Sequence, residues 1–343
     1  MARPTFIDFV RYQWSAIPPL VTANLAGKTV MIIGANTGLG FEASKHFARM
    51  NPKRLIMACR NPTKGEAAVE RLKRETGFES VELWIIDLAS FSSISRFATK
   101  FEEDGGRLDI LVQNAAIATC EYQETLDGWE STIQVNNLSL PLLALLLLPH
   151  MVRTGREYGT IPRLVVVGSG VHYWANLEKA VLESGNILGT LSSKKYCTPQ
   201  VMAHRYFDSK LLNIFFVRAL NDRLPKSPES VIVNGVDPGY CYSELRRDFS
   251  GIRALVDWIM ERLLAHTTEE GSRQLIWASV GGAGAEDKLR GGYISRSKVC
   301  EVSDFVLTRD GVTAQDNIWN EMITVLVKLD PKVQRTIDEF LVT

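Results

Sequence analysis

The sequence predicts an α/β fold in which a parallel sheet lies between two layers of helices. Three observations predict it. Short apolar, β-branched runs alternate with longer segments of helical period. The first such run passes straight into a glycine-rich turn, and no internal repeat or low-complexity stretch interrupts the series. Runs that stay apolar at successive positions suit strands buried on both faces, as parallel strands are.

Taken in order, strands are expected at 28–33, 54–59, 81–86, 108–112, 164–167 and 231–234, with a last one near 291–294. Helices are expected between them at 39–50, 63–75, 90–103, 127–152 and 201–224. Two connections are longer than tight βα loops, 171–199 after the fifth strand and 240–266 after the sixth. Both leave the carboxyl edge of the sheet, where open α/β folds bind ligands. Segments 313–328 and 331–341 read as a peripheral helical extension. One domain is expected over 1–343, with an N-terminal extension at 1–24, a core at 25–296 and a C-terminal helical extension at 297–343.

Composition narrows the function. The chain has 343 residues, with 39 basic and 39 acidic side chains, and the balance argues against a dedicated nucleic-acid binder, which needs surplus Lys and Arg. A hydrophobic content of 45% excludes a disordered chain. Cys59, Cys120, Cys197, Cys241 and Cys300 are scattered and odd in number, so neither a disulfide framework nor a metal site is expected. Reduced thiols and the lack of a visible secretory signal point to a cytoplasmic protein. The apolar stretch 138–149 is about half the roughly 20 residues that span a bilayer, and reads as a buried helix. Phe6, Phe9, Val10, Tyr12 and Trp14 admit a peripheral membrane contact, but an amphipathic cap lying on the domain is the favoured reading.

The chemistry begins at Gly34-Ala35-Asn36-Thr37-Gly38-Leu39-Gly40. Glycines let backbone N–H groups approach a pyrophosphate, and the following helix N-terminus adds partial positive charge. Strand before, helix after and a place at the head of a βαβ series give the turn its meaning. At the end of the second strand, where NAD-selective folds place an acid, stands Arg60, with Lys64 nearby. A guanidinium suits a ribose 2′-phosphate, so NADP(H) is expected over NAD(H). Tyr206 and Lys210 are four apart and share a helix face, where an ammonium favours the phenolate. Asn114-Ala115-Ala116 follows the fourth strand, Asn136 lies in the next helix and Ser169 follows the fifth strand.

These motifs, in this order, resemble the short-chain dehydrogenase/reductase family of single-domain type, whose fold is a Rossmann-type doubly wound sheet in three layers. The resemblance covers about 24–293. The family's T-G-x-x-x-G-x-G appears from Ile33 to Gly40 with Ile33 in place of Thr, and its N-N-A-G as Gln113-Asn114-Ala115-Ala116 with Ala116 in place of Gly. Asp87-Leu88 matches the acidic position that would meet adenine. Pro238-Gly239-Tyr240-Cys241-Tyr242-Ser243 matches the downstream pattern, Ser243 keeping a hydroxyl for the nicotinamide carboxamide. Ala58-Cys59-Arg60-Asn61-Pro62 is similar to the retinol-dehydrogenase-like branch, and the extensions to fungal members.

The resemblance implies hydride transfer between nicotinamide and a carbonyl or secondary alcohol of a small lipophilic molecule. It implies a tetrad of Asn136, Ser169, Tyr206 and Lys210: Tyr206 as general acid or base, Lys210 lowering its pKa and holding the nicotinamide ribose, Ser169 polarising the substrate oxygen, and Asn136 holding a water. His172, Tyr173, Trp174, Tyr240 and Tyr242 are the expected substrate-side residues. The alternatives are a membrane-peripheral retinoid- or steroid-like alcohol dehydrogenase and a non-catalytic NADPH-binding sensor. Family members often pair through the helices at 127–152 and 201–224, so a homodimer or tetramer is expected unless the ends block it.

Overall fold

The computed structural model describes residues 4–227, 230–246 and 251–342. A short helix α1 (Phe6–Trp14) precedes β1 (Thr29–Ile33), α2 (Gly38–Arg49), β2 (Arg54–Cys59), α3 (Pro62–Thr76), β3 (Val81–Ile85), α4 (Phe91–Glu103) and β4 (Ile110–Gln113). Then come α5 (Ser131–Ile133), a π-helical stretch Gln134–Ser139, α6 (Leu140–Tyr158) and β5 (Arg163–Val167). The long connection after β5 holds α7 (Lys179–Leu182), α8 (Ile187–Ser192) and α9 (Pro199–Met202), and leads to α10 (Arg205–Arg223) and β6 (Ile232–Asp237). The chain ends with α11 (Gly251–Leu264), α12 (Thr268–Val280), α13 (Glu286–Leu289), the strands β7 (Tyr293–Ser295) and β8 (Lys298–Cys300), and α14 (Asp304–Leu307), α15 (Arg309–Leu329) and α16 (Lys332–Phe340).

The strands form one sheet in the order β3-β2-β1-β4-β5-β6-β7-β8, parallel except for β8. Alternate side chains feed opposite cores. Met31, Ile33, Ile56 and Ala58 pack on the α4, α6 and α10 side, while Val30, Ile32, Leu55 and Met57 pack under α2, α3 and α12. That two-sided burial is why the strand runs read as continuously apolar. The strand order reverses between β1 and β4, which opens a crevice at the carboxyl edge. Helix α6 and the segment before it are long and apolar enough to cross a membrane, but they are buried in this core.

Three expectations change. The helix expected at 127–152 starts at Ser131, carries the π-helical stretch and runs on to Tyr158. The helix expected at 201–224 breaks before Arg205. The C-terminal segment is not peripheral: α15 lies along α10 and α8, and α16 packs on α6. Ala314, Ile318, Trp319, Met322 and Leu326 join the main core, Trp319 stacking on Phe216. Short chain separations make α4, α6 and α10 recognisable, but nothing local marks a helix a hundred residues downstream as their cover. Truncating the buried Trp319 to Ala is expected to cost roughly 3–5 kcal/mol. A denaturant midpoint equal to wild type would show that α15 is not part of the core.

Candidate active site

The crevice is a cleft of about 1930 Å³. A site for one drug-sized ligand has roughly 300–1,000 Å³, so there is room for a dinucleotide and a second molecule. The glycine turn forms one end. Gly34 leaves β1 at φ +84°, and a Cβ there would stand 2.9 Å from Ala115. Gly40 lets α2 press on the turn: its Cβ would meet the Gly34 carbonyl at 2.1 Å. The Asn114 amide donates to that same carbonyl at 2.9 Å, fastening the ends of β1 and β4 together. No side chain caps the first turn of α2, so its N-terminal donors are left for a ligand. Asn36, Thr37, Gly38, Leu39, Arg60, Lys64, Asp87, Leu88, Ala115 and Ala116 all line this end. Arg60 and Lys64 are exposed at the mouth, where Pro62 opens α3 and Asn61 caps it.

The other end carries Ser169, Tyr206 and Lys210. Lys210 is 1% exposed and donates to the Val167 carbonyl at 2.7 Å, 5.5 Å from the Tyr206 ring centroid. Burial pulls its pKa down to about 7. Asn136 sits within the π-helical stretch, which displaces one turn of the helix. Its side chain accepts from Ile117 N–H and donates to Ile117 C=O and to Ser209 Oγ. Asn136 thus braces both the loop after β4 and the turn of α10 between Tyr206 and Lys210. Its carbonyl accepts from the Asn213 amide, tying the stretch to α10 once more. Arg205, beside Tyr206, is fully buried; it donates to the Leu191 carbonyl and lies 3.6 Å from the Glu130 carboxylate. That anchors the start of α10 against α8.

Pro238, Gly239 and Ser243, from the segment after β6, line the cleft wall, as does Tyr240, whose hydroxyl donates to Asp257 at 2.8 Å. Tyr173 and Trp174 also face the cleft. His172 does not. It is 1% exposed, its Nδ1 donating to the Ser169 carbonyl at 2.8 Å while Nε2 accepts from Ser303 N–H. Both nitrogens are used in joining the β5 loop to the C-terminal segment, and burial lowers its pKa. Tyr242 points outward, 37% exposed, and is not part of the wall.

Residues without a local signature complete the site. Helix α1 lies against the segment after β6. The buried Gln13 amide donates to the carbonyls of Tyr240 and Leu264 at 2.8 Å each and accepts from Tyr240 N–H. Tyr12 reaches Ser295 Oγ inside the cleft, beside Asp237. Of the aromatic residues at the N-terminus, Phe6 and Trp14 remain exposed, whereas Tyr12 is turned inward. Only the Asp237-Pro238-Gly239 run offers a cue in the sequence, since Asp237 adjoins a recognised motif.

The family model described as short chain dehydrogenase matches residues 28–181. The chain is 35% identical over 317 residues to the short chain dehydrogenase/reductase dmxR8 of Cryptosporiopsis sp. (strain 8999), covering 92% of this chain and 95% of that protein. It is 34% identical over 334 residues to the short-chain dehydrogenase anuD of Penicillium roqueforti (strain FM164), covering 95% and 84%. Among solved structures it is similar to a short-chain dehydrogenase from Sphingobium yanoikuyae in complex with NADPH, at TM-score 0.53 and 25% identity over 71% of this chain and 81% of that one. Salutaridine reductase from Papaver somniferum shares the fold, at TM-score 0.56 and 20% identity over 78% and 99%.

Proposed function

The chain belongs to the short-chain dehydrogenase/reductase family of oxidoreductases, and on that premise we propose that it transfers hydride between NADP(H) and a carbonyl or secondary alcohol carbon of a small lipophilic molecule. The observation that carries the proposal is the convergence of Ser169, Tyr206 and Lys210 in the cleft whose far end is the glycine turn. The turn fits the cofactor's pyrophosphate: a Cβ on Gly38 would meet nothing within 4 Å, so the backbone faces open space at an uncapped helix start. Bound NADP(H) would supply or accept the hydride.

The chain's own residues then do the rest. Ser169 hydrogen-bonds the substrate oxygen and polarises it. Tyr206 donates a proton to that oxygen in reduction and takes one in oxidation. Lys210, held at fixed distance by the Val167 carbonyl, favours the phenolate. Asn136 holds the loop after β4 to α10 and fixes where Lys210 emerges. Asp87 and Leu88 hold the adenine, and Ser243 the carboxamide. Turnover of a panel of ketones, aldehydes and secondary alcohols, followed at the nicotinamide absorbance band, tests the reading.

Arg60 would grip a 2′-phosphate, a reading supported by its exposure at the mouth and by Lys64 on the first turn of α3. Arg60→Asp is expected to lower the NADPH/NADH ratio of kcat/KM by at least about tenfold, since a charge-assisted pair is replaced by repulsion. An unchanged ratio would place the 2′-phosphate elsewhere. The C-terminal cover favours a monomer, because α15 packs on α10 and α16 on α6, the helices through which pairing was expected. Light scattering at micromolar concentration is expected to give about the chain mass of 38.3 kDa. A dimer mass would show that another face pairs.

A further inference from the structure

One wall of the cleft comes from outside the sheet. Helix α1 packs apart from both sheet cores and lies against α11. Phe6, Phe9, Tyr12 and Gln13 recur at helical spacing, and all four line the cleft. From Phe6 to Tyr12 this face runs about 9 Å along the helix. Its inner end is close to the chemistry: Tyr12 hydrogen-bonds Ser295 Oγ beside Asp237, and a Cβ on Gly170, the residue after Ser169, would stand 3.2 Å from Asp237 Oδ2. Its outer end is the rim, where Phe6 is 63% exposed. Between them the Phe9 ring meets the Tyr240 ring edge to face, with centroids 6.0 Å apart. Asp8 also lines the cleft, but its carboxylate accepts from the Thr5 N–H and hydroxyl in the helix cap.

The wall is fastened at both ends of the segment it faces. Gln13, 3% exposed, donates to the Tyr240 and Leu264 carbonyls and accepts from Tyr240 N–H. Trp14 Nε1 donates to the Leu263 carbonyl at 3.1 Å. One helix turn thus grips the start and the finish of 240–264, the segment whose Val256 and Met260 line the cleft beside Tyr240. Aromatic rings held in place offer a ligand large contact area at little further cost in ordering.

We propose that α1 is part of the substrate pocket, with Phe9 a specificity-determining residue and Gln13 a positioning residue, and that the preferred substrates are cyclic ketones fused to an aromatic ring, or the corresponding alcohols. This rests on the functional reading above in placing the reacting carbon at Ser169 and Tyr206. A single small ring held there reaches only the Tyr12 end and leaves Phe9 facing water. An aromatic ring fused to it lies along Phe9 and Tyr240, where aromatic pairing adds to the apolar area buried.

The test compares cyclohexanone with 2-tetralone, the same ring ketone fused to benzene, by calorimetry on the full chain saturated with NADP⁺, alongside NADPH-dependent turnover. The wild type is expected to bind 2-tetralone at least about tenfold tighter than cyclohexanone. Phe9→Ala is expected to lower that ratio roughly three- to tenfold, entirely through 2-tetralone, and Phe9→Tyr, which keeps the ring, to preserve it. Affinities for cyclohexanone and NADPH are expected to stay as in the wild type, which a general loss of structure would not allow. Gln13→Leu releases the clamp and is expected to lower the ratio as well. No binding of 2-tetralone, a ratio near one in the wild type, or a ratio that survives Phe9→Ala overturns the assignment of α1 to the pocket. Ring preference without turnover of either ketone would keep that assignment and sink the hydride-transfer reading. Turnover of both ketones without ring preference would do the reverse.

Discussion

Tyr206→Phe is expected to lower turnover roughly 100- to 10,000-fold, the usual contribution of a positioned general acid or base. The substitution removes one oxygen and leaves the ring, so α10 and its packing should survive. Cofactor binding should survive as well, because the glycine turn and Arg60 lie at the other end of the cleft. Protonation of the substrate oxygen would then fall to water. Single-turnover kinetics with saturating cofactor separate this loss from a binding defect. Near-normal turnover in the variant would remove Tyr206 from the proton path and with it the assigned mechanism.

Lys210→Met is expected to be the second most damaging change. The side chain is fully inside the protein, and its ammonium lies 5.5 Å from the Tyr206 ring centroid. Removing a positive charge raises the pKa of a neighbouring phenol, because the phenolate loses its stabilising partner. Tyr206 then becomes a weaker acid for reduction at neutral pH. In oxidation it must lose its proton first, so the acid limb of the pH–rate profile moves upward. Each pKa unit is a factor of ten. A shift of at least about one unit is expected, with a loss at pH 7 of about tenfold or more. Matching pH profiles in variant and wild type would mean that Lys210 acts only by holding cofactor. The Val167 carbonyl also loses its donor, at a cost of about 1–3 kcal/mol, so a melting curve should accompany the kinetics.

What the sequence makes legible is local. The strands are visible because both faces are buried, which leaves β1, β2 and β5 apolar at nearly every position. Edge strand β3 is recognisable although its last residue, Ile85, is exposed. The glycine turn and the Tyr206–Lys210 pair are legible because their spacing is fixed by a turn and by a helix. Contacts across long separations leave no such trace. Trp319 reads as part of an outlying helix, yet it stacks on Phe216. Gln13 and Tyr12 look like an amphipathic cap, yet they clamp Tyr240 and reach Ser295. His172 follows Ser169 closely and reads as a substrate contact, but the short 3₁₀ turn beginning at Gly170 swings its ring inward to Ser303. The β7–β8 hairpin escapes notice because β8 is three residues long and two of them are exposed.

The central claim is that this cleft holds NADP(H) for hydride transfer. Titrating the purified protein with NADPH and with NADH, while watching nicotinamide fluorescence, tests it most directly. Saturable binding, with NADPH at least about tenfold tighter than NADH, is the expected result. No binding of either dinucleotide would contradict the account at its root, since the uncapped turn at Gly38 and the site around Tyr206 would then serve some other ligand.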